Sequence, residues 1–210
     1  MTGLRSSPRL LKAGLCQVHP ETGALLSRVV LQYNPDQVTR TLQLGGAGEH
    51  DLGPLRARVP PVETLKIECE LDASDAMERG QGGGIAAQIA ALEGLATPRS
   101  ADLRELDRLA ARGTLEILAP EPPLTLFVWS ARRIIPVRIT ELAITEEAFD
   151  PELAPIRARV SLGMRALSAA DLGMGHRGGG LAMVYLRSKE RLAASLRSGE
   201  LPLFTGRELG

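Results

Sequence analysis

Two segments of this chain alternate apolar and polar residues with a period of two. In the first segment every second residue is apolar: Leu65, Ile67, Cys69 and Leu71. The second segment runs over residues 156–166 and places Arg157, Arg159 and Arg165 on its polar side. Successive side chains of a β-strand point to opposite faces, so this pattern predicts two strands that each bury one face of a sheet.

Shorter apolar runs bounded by turn residues predict further strands, over residues 10–18, 25–33, 38–44, 114–118, 124–129 and 134–145. Pro and Gly in the segment 19–23 and the Asn34-Pro35 step favour turns after the first and second runs. With many short strands and few long helical patterns, the chain is predicted to be α+β, built on an antiparallel β-sandwich or open barrel.

Apolar residues with the spacing of a helix, three or four positions apart, are confined to two regions of the chain. Residues 72–113 form a predicted helical insertion, with apolar residues three or four apart in 85–96 and 103–109 and with Ser100 as a cap. The second region follows Gly178-Gly179-Gly180, which we interpret as part of a flexible joint over 168–180. The helix after it has an apolar stripe: Leu181, Val184, Tyr185, Leu192 and Leu196.

This division gives a β domain over residues 1–167 and a docking arm over 168–210. The helix of the arm either packs back on its own sheet or reaches a neighbouring molecule, and the sequence leaves both open. The polar side of the last strand is likewise either solvent surface or a docking surface for an acidic partner through Arg157, Arg159 and Arg165.

Charge is unevenly distributed although the chain is neutral overall. Residues 62–152 contain seventeen acidic and nine basic residues, whereas residues 153–210 contain four acidic and nine basic residues. A neutral chain has no general electrostatic attraction to nucleic acid, so no nucleic-acid partner is predicted. An acidic middle and a basic end fit head-to-tail contacts between copies, or simply an uneven solvated surface.

No constellation of catalytic or ligand-binding residues stands out. His19, His50 and His176 are far apart in predicted loops, and the glycine-rich segment 80–84 lacks the lysine of a phosphate loop. Two cysteines are too few for a disulfide framework or a zinc site. We therefore expect no enzyme activity, cofactor or metal. Without a signal-peptide pattern or a run of about 18 apolar residues, we expect cytoplasmic synthesis and no direct membrane insertion.

Two segments together resemble a known family. They are VVLQYNPDQVTRTLQ, residues 29–43, and PPLTLFVWSARRIIPVRITELAITEEAFDPELAPIRARVSLGMRAL, residues 122–167. The aromatic-Asn-Pro step, the strand ending at Trp129 and the Phe149-Asp150-Pro151 hairpin follow the order seen in tube-domain baseplate adaptors of extracellular contractile injection systems. The similarity covers roughly residues 9–167, and it departs from the family in that no LysM-like module follows.

The resemblance implies a phage-tube-like fold and a structural subunit that joins inner tube and spike to the baseplate. Its implied partners are tube, spike and baseplate wedge proteins, with copies arranged in a homo-oligomeric ring of a phage tail-like particle. A tube-initiator or tube-cap protein of the same particle is an alternative reading. A cell-wall carbohydrate-binding module is a further one, although a single Trp is unfavourable for it.

Overall fold

Seven strands form one antiparallel sheet in the computed structural model, which describes residues 11–44, 60–74, 84–112 and 122–196. The strands are β1 Gly14–Val18, β2 Leu25–Val30, β3 Val38–Gln43, β4 Val62–Asp72, β5 Leu124–Ser130, β6 Arg133–Phe149 and β7 Pro155–Ala166. Their order is β2-β1-β5-β6-β7-β4-β3, and the sheet is not closed into a barrel. The predicted α+β class is confirmed, while the predicted strand over 114–118 lies outside the described residues.

Four helices accompany the sheet in the described ranges: α1 Ala86–Ala96, α2 Ser100–Ala111, α3 Ala169–Leu172 and α4 Arg177–Ala194. The helices α1 and α2 confirm the predicted helical character of residues 85–111. The predicted cap at Ser100 is wrong, because Arg99 occupies the N-cap and Ser100 already lies inside the helix without a side-chain capping bond.

The core lies between the apolar face of the sheet and α1. The register pairs Leu65 with Met164 and Cys69 with Val160, so the two period-two segments of the sequence are adjacent strands with their apolar sides together. Helix α1 adds Ile89 and Leu92 to this core.

Two polar contacts fix the position of α1 on the sheet. Ile85, at its start, donates a backbone hydrogen bond to the carbonyl of Pro155, at 2.9 Å. Near its end, the buried amide of Gln17 on β1 donates to the carbonyl of Leu95, at 3.2 Å, and accepts from Ser27. The last turn of α1 therefore lies against β1, near the β2 edge of the sheet.

The glycines before the C-terminal helix do not form a joint, and that prediction is wrong. Gly178, Gly179 and Gly180 lie in the first turn of α4, whose N-cap is His176. A side-chain carbon on Gly179 would clash with the carbonyl oxygen of Gly173. Gly178 and Gly179 are buried because α3 and α4 meet at very close range, so glycine is needed at these two positions for space.

None of the described helices is long and apolar enough to cross a membrane.

Candidate interaction surfaces

A buried carboxylate holds the C-terminal helix on the sheet. Glu63, at the start of β4, is only 6% exposed. Its carboxylate accepts hydrogen bonds from the Tyr185 hydroxyl at 2.8 Å and from Lys189 Nζ at 2.5 Å. Arg40 Nε of the neighbouring strand β3 lies 3.5 Å away. A buried charge is stable only when it is paired and hydrogen-bonded, and Glu63 meets both conditions through α4.

Sequence reasoning missed Glu63, although the signal was present. Glu63 has the same parity as Leu65, Ile67, Cys69 and Leu71, so period-two alternation points its side chain to the buried face. An acidic residue at an inward position requires a cationic partner, and the helix with Tyr185 and Lys189 supplies one.

Helix α4 crosses the end of the sheet. At its start the Arg177 guanidinium donates to the carbonyl of Glu21, in the turn between β1 and β2, at 3.1 Å. Lys189, which bonds Glu63 on β4, lies twelve residues further along the helix. Twelve residues correspond to a helical rise of about 18 Å. Four strand spacings separate β1 from β4 in the sheet, or about 19 Å. The helix thus ties the β1–β2 hairpin to the opposite side of the sheet.

The predicted apolar stripe of this helix divides into two parts. Leu181 packs against a small cluster of Val18, Leu124 and Leu126, and Tyr185 packs against the main core. Of the two alternatives left open by the sequence, packing of this half on its own sheet is the one observed. Val184, Leu192 and Leu196 remain exposed, the last two at 68% and 78%. The C-terminal part of the stripe therefore continues beyond the contact of Lys189 with Glu63 of β4.

The three arginines of β7 lie on the face of the sheet away from the core, as predicted. Arg157 Nε lies 2.9 Å from Asp72 Oδ2, and Arg159 lies 3.3 Å from Glu147 and 4.0 Å from Glu70. The register explains these pairs, because Asp72 and Glu70 of β4 stand directly opposite Arg157 and Arg159.

These ion pairs within the chain affect how readily the arginines can bind a partner. Exposed ion pairs contribute only about 0–1 kcal/mol to stability, so the pairs are easily exchanged. They nevertheless compensate the basic charge within the chain. Contact of Arg157, Arg159 and Arg165 with neighbours remains a prediction, and an acidic partner would have to compete with carboxylates of the same chain.

Arg165 belongs to a separate polar cluster at the start of α3. Its guanidinium lies 2.6 Å from Asp171 Oδ1, while the other Asp171 oxygen accepts from the backbone and hydroxyl of Ser168. Desolvation of Asp171 acts to raise its pKa, but the Ser168 hydrogen bonds and the Arg165 charge outweigh it, so the pKa is lowered. The cluster caps α3 and joins it to β7.

A second acidic residue with a lowered pKa is Asp72. Hydrogen bonds from Ser74 are the main cause of the lowering, and the charge of Arg157 adds to it. The backbone N–H and C=O of Asp72 also bond the side chain of Gln32, at 2.9 and 2.5 Å. Asp72 therefore serves to anchor the loop after β2 to the end of β4.

Helix α2 packs little of its surface. None of its residues is buried, and Leu103 is 52% exposed, while Leu106 and Leu109 are half-buried. The three leucines share one side of the helix, and Asp102 and Asp107 flank them. Arg104 and Arg112 lie on the opposite side, as does Arg108, which pairs with Glu105 at 2.6 Å. Among the described residues, the apolar side of this amphipathic helix is not buried, which is unusual for a helix on the surface of a monomeric protein.

No cluster of three or more metal-ligating side chains occurs among the described residues. Burial raises the pKa of both thiols, that of Cys69 to about 11, so neither favours the reactive thiolate. No protein-family model matches this chain, and no curated protein matches it either.

Proposed function

We propose that this chain is a non-enzymatic structural subunit of a contractile injection particle that joins the inner tube and spike to the baseplate. The observation that carries the proposal is the pair of sheet edges formed by β2 and β3. These strands each contain six residues, and among the strands that the structure describes each is hydrogen-bonded to only one other. An unpaired edge is a template for strand addition, which a repeating assembly can use as an interface.

Both edge strands have exposed apolar side chains. Leu25, Leu26 and Val30 of β2 are exposed, as is Leu42 of β3. Each strand also has one exposed arginine, Arg28 on β2 and Arg40 on β3, so a partner strand would pair with an edge that is partly charged. Pairing of β2 in one copy with β3 in the next is a head-to-tail contact, and such contacts close into rings when the rotation between copies permits.

The two segments that carry the resemblance to tube-domain adaptors occupy the corner between the edge strands and three adjacent strands of the sheet. Tyr33-Asn34-Pro35 forms the corner between the two edge strands, where the Asn34 side chain bonds Ala13 N and Leu11 O, both at 2.8 Å. The second segment supplies the adjacent strands β5, β6 and β7. The irregular register of β6 near Ile139 and Glu147 supports a curved, tube-like sheet, because bulges bend strands. A β-sandwich or open barrel is the finer form that we propose.

The carbohydrate-binding alternative is less well supported. Sugar sites favour exposed aromatic rings, yet Trp129 is half-buried against the core, with its ring centroid 5.9 Å from that of Phe127. A tube-initiator or tube-cap protein would use the same edges as an adaptor, so only its position in the particle distinguishes it. The proposal requires no cofactor, nucleic acid or membrane anchor.

The test is to tag the chain in the organism that produces it and to purify contractile particles. The proposal expects the tag to co-purify with sheath, tube and spike, and labelling should place it where tube and baseplate meet. Deletion of the gene should abolish assembled particles or detach the spike end. Label at the opposite end of the tube would identify a cap, whereas normal particles that lack the tag would contradict the proposal.

A further inference from the structure

One interior strand of the sheet is paired on both sides over only part of its length. Strand β6 contains 17 residues, Arg133–Phe149. On one side β5 pairs with its residues 133–137, whereas on the other side β7 follows it as far as Phe149. None of the described strands pairs with the β5 side of β6 beyond Val137. This stretch of β6, residues 138–149, is the open edge.

The strand register shows which backbone groups face the open side. The carbonyl of Ile156 on β7 bonds the chain just after β4, so alternate residues of β7 from Ile156 onward direct their backbone groups toward β4. Val160 and Leu162 are two of these residues, and they stand opposite Ile144 and Leu142 of β6. Residues directly opposite in an antiparallel pair either bond each other or both face away. The N–H and C=O groups of Leu142 and Ile144 therefore point away from β7.

A groove lies beside the open edge. It has a volume of about 560 Å³ and lies between β6 and the end of α1. Its lining combines the half-buried side chains of Leu142 and Ile144 with Glu93, Ala96 and Thr97. The same two residues of β6 thus present unpaired backbone groups and apolar side chains at one place. A groove between a strand edge and a helix suits an extended peptide, which continues the sheet and directs alternate side chains inward.

The surroundings of the groove are acidic. Glu93 lines it, and Glu141 and Glu146 are exposed on β6 along the open edge. None of these three carboxylates forms an ion pair with another described residue. Arg138, at the start of the open edge, offsets only part of this charge. Uncompensated negative charge around an apolar groove selects a basic partner.

We propose that the open edge of β6 binds an extended segment of a partner protein in which apolar and basic residues alternate. The segment adds to β6 as a strand beside Leu142 and Ile144, and its apolar residues enter the groove next to Ala96. Its basic residues lie near the carboxylates that flank the edge. This site is separate from the β2 and β3 edges, and it does not depend on the proposed function.

The test uses a capped, fluorescently labelled peptide of alternating valine and lysine, with binding to the full-length chain measured by fluorescence anisotropy. The variant E141K/E146K reverses the charge along the open edge and should weaken binding at least about tenfold. The control E21K/E68K makes the same change in net charge at exposed positions in the β1–β2 turn and on β4. It should bind like the wild type, and equal weakening in both variants would overturn the inference.

Backbone pairing is tested with N-methylated forms of the same peptide. Alternate residues of a strand direct their N–H groups to opposite sides. Methylation of every valine nitrogen therefore blocks one side, and methylation of every lysine nitrogen blocks the other. Only one of these two peptides should lose binding, by at least about tenfold. Equal behaviour of the two would overturn the inference, because it would mean that the peptide does not bind as an added strand.

Amide hydrogen exchange shows what occupies the edge. The N–H groups of Leu142 and Ile144 should exchange rapidly in the chain alone and become protected when the unmodified peptide binds. The N–H of Ala143, which faces β7, is the control and should be protected throughout. Protection of Leu142 and Ile144 without peptide would overturn the inference. It would assign the edge to a second copy if it rises with protein concentration, and to another part of the same chain if it does not.

Discussion

Lys189 Nζ lies 2.5 Å from Oε2 of Glu63, and the same ammonium lies 4.1 Å from the centroid of the Tyr185 ring. One buried carboxylate thus receives a charged and a neutral donor from successive turns of one helix. This contact determines where the C-terminal helix ends its path across the sheet and where its exposed apolar part begins.

Removal of the Glu63 carboxylate should destabilise the protein. Glu63→Ala leaves Lys189 and Tyr185 without their acceptor, and we expect a loss of about 1–3 kcal/mol in the free energy of unfolding in urea. A double-mutant cycle of Glu63→Gln with Lys189→Met should give a coupling energy of about 0.5–3 kcal/mol. Lys66→Met, on the exposed face of the same strand, is the control. A coupling energy near zero would show that the pair does not hold the helix.

The glycines of α4 should respond in opposite directions to the same substitution. Gly179→Ala forces a methyl group against the Gly173 carbonyl, and we expect a loss of about 1–3 kcal/mol in thermal or urea unfolding. Gly180→Ala meets no atom within 4 Å and should stabilise the helix by up to about 1 kcal/mol. Equal effects of the two substitutions would mean that flexibility, rather than space, is what this segment requires.

Asp171 should make part of the free energy of unfolding depend on pH in the acidic range. Its pKa is lower in the folded chain than the value of about 3.9 expected when unfolded. Its contribution is therefore present above about pH 4 and is lost as the pH falls further. Asp171→Asn should cost about 1 kcal/mol at pH 7, typical of a lost helix cap. The difference from the wild type should shrink between pH 4 and pH 2.

A second variant checks the origin of this effect. Ser168→Ala removes the hydroxyl that donates to Asp171, so it should reduce the pH dependence without abolishing it. A difference between wild type and Asp171→Asn that stays constant down to pH 2 would contradict the assignment.

The role of the charged sheet face in assembly can be measured separately from its effect on stability. Arg159→Glu places like charges beside Glu70 and Glu147, yet such exposed pairs should change stability by less than about 1 kcal/mol. The exchange R159E/E70R restores the pair within the chain. If Arg159 contacts a neighbour, both variants should reduce the yield of assembled particles even though the exchange variant is as stable as the wild type. Wild-type yield from the exchange variant would exclude Arg159 from the interface.

Much of the fold follows from the period-two segments. Their apolar sides fixed which residues of β4 and β7 enter the core, and the helical spacing of Ile85, Ile89 and Leu92 located α1. The prediction from the C-terminal glycines was wrong, because a run of glycine is compatible both with a flexible joint and with close helix packing. Only the position of the Gly173 carbonyl against Gly179 in the structure shows that close packing is the reason for glycine here.

The charged residues show the same limit. Alternation alone identifies Arg157 and Arg159 as outward-facing, but the strand register decides that Asp72 and Glu70 stand opposite them. Alternation also directs Glu63 inward, but it cannot say which of the distant cations will meet it.

The sequence by itself determined most of the strands, the helices α1 and α2, the apolar stripe of α4 and the buried sides of β4 and β7, because these depend on the local periodicity of apolar residues. The tertiary structure decided that β2 and β3 are the outermost of the described strands, that α4 spans from Glu21 to Glu63, and that Gly179 packs against the carbonyl of Gly173. These features depend on contacts between residues as many as 156 positions apart, and the pairing of such residues is set by packing and charge in three dimensions.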